Sequence, residues 1–419
     1  MPGRARVTDS CRFCGKELSV VVADLGMSPV SNELRDALTA ESRSQTFYPL
    51  KAMACEGCWL VQLTEVQTPE HFTEDYVYFS SYSKSWLQHA SDYATEMIAA
   101  LGLDGSSLVV ELASNDGYLL QYFKHAGVKV LGIDPTANTA IHAKEQHGID
   151  TVVDFFGVEL GRKLAGDGVA ADLIAANNVL AHVPDPKDFL GGIPHILKPE
   201  GTFTIEFPHL LRMLEQCQFD TIYHEHFSYL SLLTLETMLA AFGLAVYGVE
   251  ELPTHGGSLR VHACHAAAGL SDERLARGLD KVRNDERAGG LDRAETYRSF
   301  AAEVEKRKFD LLEFLIKAKR GGKTVLAYGA PAKGSTMLNY CGAGPELIGF
   351  TVDLSPHKQG HYLPGLNIPI HEPEALMAAR PNYILILPWN LRDEIAAQLE
   401  PAREWGGQFV VAIPELQVF

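Results

Sequence analysis

The stretch from Leu108 to Asp134, LVVELASNDGYLLQYFKHAGVKVLGID, leaves the chain few folds to choose from. Leu108 to Leu112 is a short apolar run with two valines, the pattern of a buried parallel strand, and it stops at a turn closing on Asp116 and Gly117. Leu119, Leu120 and Phe123 recur at helical spacing, Gly127 is placed to cap that helix, and Val128 to Ile133 reads as a second strand ending on Asp134. This is one β-α-β unit. Its first turn aims backbone N–H groups at whatever lies above the sheet, and an acidic residue ending the second strand can take both hydroxyls of a ribose.

Two nucleotide ligands suit such a unit, and the turn decides between them. A dinucleotide needs G-x-G-x-x-G so that the backbone can approach a pyrophosphate, whereas ELASNDG at 111–117 has a single glycine, which disfavours NAD. The layout instead resembles the first motif of class I S-adenosylmethionine (SAM) methyltransferases, acidic-x-Gly-x-Gly-x-Gly. Glu111 and Gly117 hold its ends, and Ala113 and Asn115 replace two of the glycines.

At 419 residues the chain is too long for one ordinary core, and three domains are expected: 1–75, 76–266 and 267–419. Its formal charge of −17 repels phosphate backbones, so nucleic acid is a poor partner and a small molecule a better one. Arg4 and Arg6 have no apolar run behind them, and no segment approaches the about 18 apolar residues of a membrane span. A cytoplasmic protein is expected, with no membrane contact and no obligate protein partner evident.

Four of the seven cysteines form two C-x-x-C pairs, Cys11/Cys14 and Cys55/Cys58, each resembling one knuckle of a zinc ribbon. Four thiolates satisfy the tetrahedral preference of Zn²⁺ and leave no position open, which makes the expected site structural. With little apolar sequence of its own, this lobe is expected to need the metal to fold. After it comes DYVYFSSYSK at 75–84, rich in aromatic and hydroxyl groups. Tyr78, Phe79, Ser80 and Lys84 could stack a base and bind a phosphate, or the segment could pack one domain on another. Trp86, Ala90, Tyr93, Ala94, Met97, Ile98 and Leu101 trace one face of a helix.

Beyond Asp134 the β-α alternation continues as a doubly wound α/β sheet. Ile149 to Val153 reads as a strand ending on Asp154 and Phe155, which could receive an adenine. Ala171 to Ala176 delivers Asn177, Asn178 and His182, and Gly201 to Phe207 follows. Leu244 to Glu250 and Ser258 to Cys264, joined through the turn at His255, read as the last two strands, as in a SAM methyltransferase sheet. The segment TIYHEHFSY at 221–229 falls over the C-terminal edge of that sheet, where ligands bind, and is the expected chemical centre. On an extended loop His224 and His226 would share a face, with Glu225 turned away. Residues 267–320 read as amphipathic helices with Phe300, Val304, Phe309, Leu312 and Leu315 apolar. A second α/β unit then opens with a strand at 324–328 and the turn GAPAKG at 329–334, where Lys333 could face a phosphate. Further strands at 348–352, 383–387 and 409–413 suggest a Rossmann-like domain.

Taken in order, the cysteine knuckles, the glycine-poor SAM motif, YHEH at 223–226, HGGSLR at 255–260 and GAPAKG at 329–334 resemble the sugar C-methyltransferases of deoxysugar pathways, over essentially the whole chain. The resemblance implies a zinc-binding lobe, a class I SAM methyltransferase core and a C-terminal Rossmann-like domain that helps hold the nucleotide. It also implies methyl transfer from SAM to C-3 of a dTDP-linked 4-keto-2,6-dideoxyhexose, with or without a 3-amino group. Roles carried over make His226 the base, Glu225 and Tyr223 its supports, and His182 and Tyr76 neighbours of the sugar. Glu111, Gly117, Asp134 and Asp154 would hold SAM. The chemistry fits, because a carbon beside a ketone needs a base for its proton and a donor for the developing oxygen charge. An O- or N-methyltransferase, or a sugar-nucleotide binding or epimerising protein, is the alternative.

Overall fold

The computed structural model describes residues 6–36, 45–66 and 79–419. Tyr76 and Tyr78 lie outside the described residues. In the N-terminal lobe β1 (Arg6–Val7) pairs with β5 (Glu65–Val66), while β2 (Val20–Ser28), β3 (Tyr48–Ala54) and β4 (Val61–Leu63) form an antiparallel sheet. Alternation buries Val20, Val22, Leu50, Ala52, Val61 and Leu63, more apolar surface than the sequence suggested. Those side chains belong to one apolar cluster with Tyr297, Phe300 and Val304 and with the C-terminal sheet, so the lobe shares a core with the far end of the chain.

Helix α1 (Lys84–Leu101) starts where the Ser83 hydroxyl accepts from Trp86 N, ends at left-handed Gly102, and buries Ala90, Tyr93, Ala94 and Met97. The central sheet then takes β6 (Leu108–Leu112), β7 (Lys129–Ile133), β8 (Thr151–Val152), β9 (Ala171–Asn177) and β10 (Leu197–Pro208). The chain next adds β11 (Ser228–Tyr229) to β4 of the N-terminal sheet before returning for β12 (Leu244–Leu252) and β13 (Ser258–His265). The order across the sheet is β12-β13-β10-β9-β6-β7-β8, with β13 antiparallel to both neighbours and the other strands parallel. Strand β8 is shorter than expected. Ile149 is spent earlier, packed beneath Gly117, where an added Cβ would lie 2.7 Å from its Cδ1.

Helices α2 (Leu120–His125), α3 (Ala137–His147), α4 (Val158–Gly166), α5 (Pro186–Ile196), α6 (Leu210–Glu215) and α7 (Leu232–Ala240) link the strands, and α8 (Glu273–Ala288) and α9 (Ala294–Arg320) bridge to the C-terminal unit. Phe300, Val304, Leu311 and Leu315 form the buried stripe of α9, whereas Phe309 falls off that spacing and is 57% exposed, contrary to expectation. The last sheet uses β14 (Val325–Tyr328), β15 (Thr351–Val352), β16 (Ile370–His371), β17 (Tyr383–Ile386), β18 (Gln408–Val411) and β19 (Gln417–Val418). Their order, β16-β15-β14-β17-β18-β19, is that of a doubly wound nucleotide-binding sheet with an antiparallel last strand. Helix α10 (Ala332–Cys341) packs so closely on the end of β17 that a Cβ at Gly334 would lie 2.9 Å from that of Leu387. No described helix is long and apolar enough to cross a membrane.

Candidate active site

The four expected cysteines converge. The Sγ atoms of Cys11, Cys14, Cys55 and Cys58 all lie within 4.8 Å of one another, with Cys11 3.6 Å from Cys58 and Cys14 3.4 Å from Cys55. Each knuckle turns back on itself through a backbone bond, Gly15 N to Cys11 O and Trp59 N to Cys55 O. A side chain at Gly57 would lie 3.2 Å from Cys14 Sγ and crowd the cage. Four thiols at these spacings fit one tetrahedral Zn²⁺ and leave no open position for chemistry.

In the SAM-motif turn, Ala113 (φ 58°), Asn115 (φ 48°) and Gly117 (φ 80°) all occupy the left-handed region. The backbone therefore takes, at three alternate positions, the form that glycines would ease. Asp134 buckles the turn by accepting Asn115 N at 2.8 Å and Thr136 N at 2.8 Å. Glu111 and Asp116 are fully buried; Tyr118 lies against Glu111 and Asn177, while Asp116 Oδ1 and the Asn178 amide lack a hydrogen-bond partner among the described residues. Burial pushes the Glu111 carboxyl well above its usual range, and neighbouring Asp116 and Asp134 add to this. Glu111 is thus held as the neutral acid, and a cationic sulfonium and ammonium ligand would favour its ionised form.

The linker closes over the same turn, Ser80 N donating to Asn115 Oδ1 at 3.0 Å and Ser81 N to Asp116 Oδ2 at 3.1 Å. Phe79 stacks on Tyr82 with ring centroids 5.5 Å apart. Lys84 is exposed at the start of α1, and Asp154 and Phe155 stand exposed at the rim beyond β8.

Residues 223–226 form a turn closed by His226 N donating to Tyr223 O, and this corrects the expectation that His224 and His226 share a face. His224 points into the N-terminal lobe, its Nε2 donating to Pro49 O at 3.3 Å and its ring edge-on to Tyr48. His226 faces the cleft. Its Nδ1–H donates to Thr221 O at 3.0 Å, which fixes the tautomer and leaves Nε2 to accept from the Tyr223 hydroxyl at 2.7 Å. The Glu225 carboxylate turns away, both its oxygens accepting from Asn32 Nδ2 at 2.8 and 3.0 Å, instead of supporting His226. His182 completes the pair, its ring 4.8 Å from that of His226. Burial lowers His182 to about 4 and holds His226 well below its ordinary value, with His182, His255 and Lys333 adding repulsion.

Around this pair stand two expected groups, Lys333 and His255, together with Asp220, Trp389, Glu206 and His89, which sequence reasoning missed. Asp220, fully buried one residue before Thr221, accepts Trp389 Nε1–H at 2.7 Å and is pushed up to about 6 by burial. Lys333 extends from the first turn of α10 over the Trp389 ring, 4.6 Å away, and donates to Asn390 Oδ1 at 2.5 Å. The turn bearing His255 (φ 56°) is tied down by Thr254 Oγ1 donating to Glu206 at 3.3 Å, and Glu206 also accepts from Arg260 at 3.0 Å and bonds His89 at 2.9 Å. Trp86 bridges His89 and His255. Only the adjacency of Asp220 to the histidine loop offered a sequence signal; Trp389 stands 169 residues away.

Residues 11–72 match a zinc binding domain model, 86–249 a methyltransferase domain and 253–414 a C-methyltransferase C-terminal domain. The C-methyltransferase NovU of Streptomyces niveus is 37% identical over 413 residues, 99% of this chain and 97% of that protein. Among solved structures, magnesium protoporphyrin IX methyltransferase from Synechocystis PCC 6803 with bound SAM aligns with 42% of this chain and 78% of its own, at 15% identity and TM-score 0.33. The PH0226 protein from Pyrococcus horikoshii OT3 aligns with 45% and 94%, at 14% identity and TM-score 0.37. With all three domain models matched in order and nearly its whole length shared with a curated relative, the chain belongs to the C-methyltransferases, SAM-dependent enzymes that here carry a zinc-binding N-terminal lobe.

Proposed function

We propose that this enzyme methylates C-3 of a dTDP-linked 4-keto-2,6-dideoxyhexose, and that His226 takes the C-3 proton. The observation that carries the reading is the His226 and Tyr223 pair, in which a neutral imidazole keeps its Nε2 lone pair toward the cleft beside a phenol. For Nε2 to accept the proton, the Tyr223 hydroxyl must leave it. That hydroxyl can then donate to the C-4 oxygen as negative charge develops there. The C–H electron pair becomes the enolate, whose C-3 would take the methyl group as the pair of the broken S–C bond stays on sulfur in the departing neutral thioether. SAM, when bound, supplies that methyl already activated as a sulfonium. Glu111, Ala113, Asn115, Gly117, Asp134, Asn177 and Asn178 would hold it, with Asp154 and Phe155 at the adenine end.

An anionic substrate also suits the electrostatics. His182, His255 and Lys333 repel a proton on His226, and a diphosphate would relieve that repulsion and raise its basicity once the substrate is bound. Lys333 and the uncapped first turn of α10 are the groups proposed to meet the diphosphate, whereas Phe79 and Ser80, expected to bind the substrate, close over the cofactor turn instead. In this division of labour residues 1–75 hold the metal, 76–266 the cofactor and sugar, and 267–419 the nucleotide.

Incubation with SAM and the dTDP-4-keto-dideoxyhexose, followed by NMR of the product, tests the assignment. A new methyl group on C-3 is expected, and a methyl on oxygen or nitrogen would overturn it.

A further inference from the structure

Arg12 lies between two metal-ligand cysteines, yet its side chain leaves the cage and enters the methyltransferase core. All five guanidinium N–H groups are used. Nε donates to Gln62 Oε1 at 3.1 Å, and Nη1 to the carbonyls of Val183 and Pro184 at 3.2 and 3.1 Å. Nη2 donates to the carbonyl of Phe227 and to Ser228 Oγ at 3.0 Å. Val183 and Pro184 directly follow His182, and Phe227 and Ser228 directly follow His226. One planar group thus grips both histidine-bearing segments just past the residues whose rings meet.

We propose that Arg12 is a positioning residue that clamps segments 182–184 and 226–228 together on the first zinc knuckle, so that the metal site sets the register of the histidine pair. Simple adhesion between lobes does not require it. The β4–β11 ladder, Leu63 N to Phe227 O at 3.0 Å and His224 to Pro49 already join the two parts. Nor does the guanidinium hydrogen-bond a carboxylate among the described residues, so a half-buried cation is spent on orienting main-chain carbonyls and two neutral side chains. A lysine, with its single ammonium centre, cannot span both segments.

The inference rests on the reading of His226 and His182 as the reacting pair, and its test separates the two. Full-length zinc-loaded wild type, Arg12→Lys and Arg12→Met are compared by zinc content, SAM calorimetry, nitrogen-15 histidine NMR and turnover of the dTDP-4-keto-dideoxyhexose. Expected for both variants are unchanged zinc and SAM affinity, displaced or broadened ring signals of His182 and His226, and a fall in kcat of about 10²-fold, the scale of a small misplacement. The His371 signal, on the edge strand β16 of the C-terminal sheet, should not move. Unaltered histidine signals in a zinc-loaded variant would overturn the clamp. Altered signals with wild-type kcat would sustain the clamp and instead overturn the catalytic reading of the pair. Should Arg12→Met fail to fold, Arg12→Lys decides alone: wild-type ring signals in it refute the proposal.

Discussion

Replacing His226 with asparagine should separate the base from its scaffold. The asparagine amide can still donate to Thr221 O, as His226 Nδ1–H does across 3.0 Å, so the turn keeps its anchor while the Nε2 lone pair is lost. Loss of a positioned base costs about 10²–10⁴-fold in turnover, or about 3–5 kcal/mol of barrier. SAM affinity should be unaltered. With SAH in place of SAM, the wild-type enzyme should exchange the C-3 proton of the keto sugar with deuterated water, and the variant should not. The pH profile carries a second mark. Burial, then His182, holds the free enzyme's His226 well below its ordinary value, so the neutral base persists through neutrality. kcat/KM should be flat above about pH 6.5 and fall only as acidification protonates His226 at lower pH. The acid limb of kcat should lie at higher pH, because the bound diphosphate favours the imidazolium. Proton exchange at the wild-type rate in His226→Asn, or an acid limb of kcat/KM above pH 7, would refute this reasoning.

Freshly purified protein should contain one zinc per chain, and Cys55→Ser should give insoluble protein, because a structural zinc contributes on the order of 10 kcal/mol to folding; metal analysis finding no stoichiometric zinc would contradict the cage. Asp134→Ala removes the acceptor of Asn115 N and Thr136 N and should weaken SAM binding by about 1.5–3 kcal/mol in calorimetry, whereas unchanged affinity would mean the turn holds something else. Lys333→Ala should raise KM for the dTDP-sugar and leave that for SAM alone, while equal effects on both would assign the lysine a structural role.

Local pattern made much of the architecture readable. The β-α alternation after Leu108 and the closing hairpin give the sheet order, and C-x-x-C spacing gives the cage, because each depends on neighbours in sequence. The motif turn was only half legible. Two of its glycines are replaced, yet Ala113 and Asn115 adopt left-handed backbone, with Asp134 at the end of the next strand holding Asn115 N. The histidine loop was misread in detail for a similar reason. An extended segment would align His224 with His226, but a turn at 223–226 sends one to Pro49 and the other to His182. Partners supplied from far along the chain, such as Asn32 for Glu225 and Trp389 for Asp220, have no periodic signature.

That reliance on distant partners also explains how a chain of charge −17 forms a cleft suited to an anion. The total says only how the molecule behaves at long range, beyond a screening length of about 8 Å in physiological salt. Around His226 the positive charge is that of Lys333, while His182, His226 and His255, held below their ordinary values by burial, stand as neutral hydrogen-bonding groups; the four come from separate segments. His182 follows β9, His226 precedes β11, His255 comes from the β12–β13 turn and Lys333 from the C-terminal α10. The carboxylates nearby are committed elsewhere: Glu225 to Asn32, Glu206 to Arg260 and His89, and Asp220 to Trp389. Around Glu111, Asp116 and Asp134 the arrangement is inverted, and buried acids stand without a basic partner where the cationic cofactor is proposed to lie. The two charge environments are built from different segments, the acids from the ends of β6 and β7, the basic groups from the loop before β11 and from α10. Their opposite signs orient the proposed reaction: a sulfonium is favoured on one side, an enolate on the other, and the methyl group moves between them along the charge gradient.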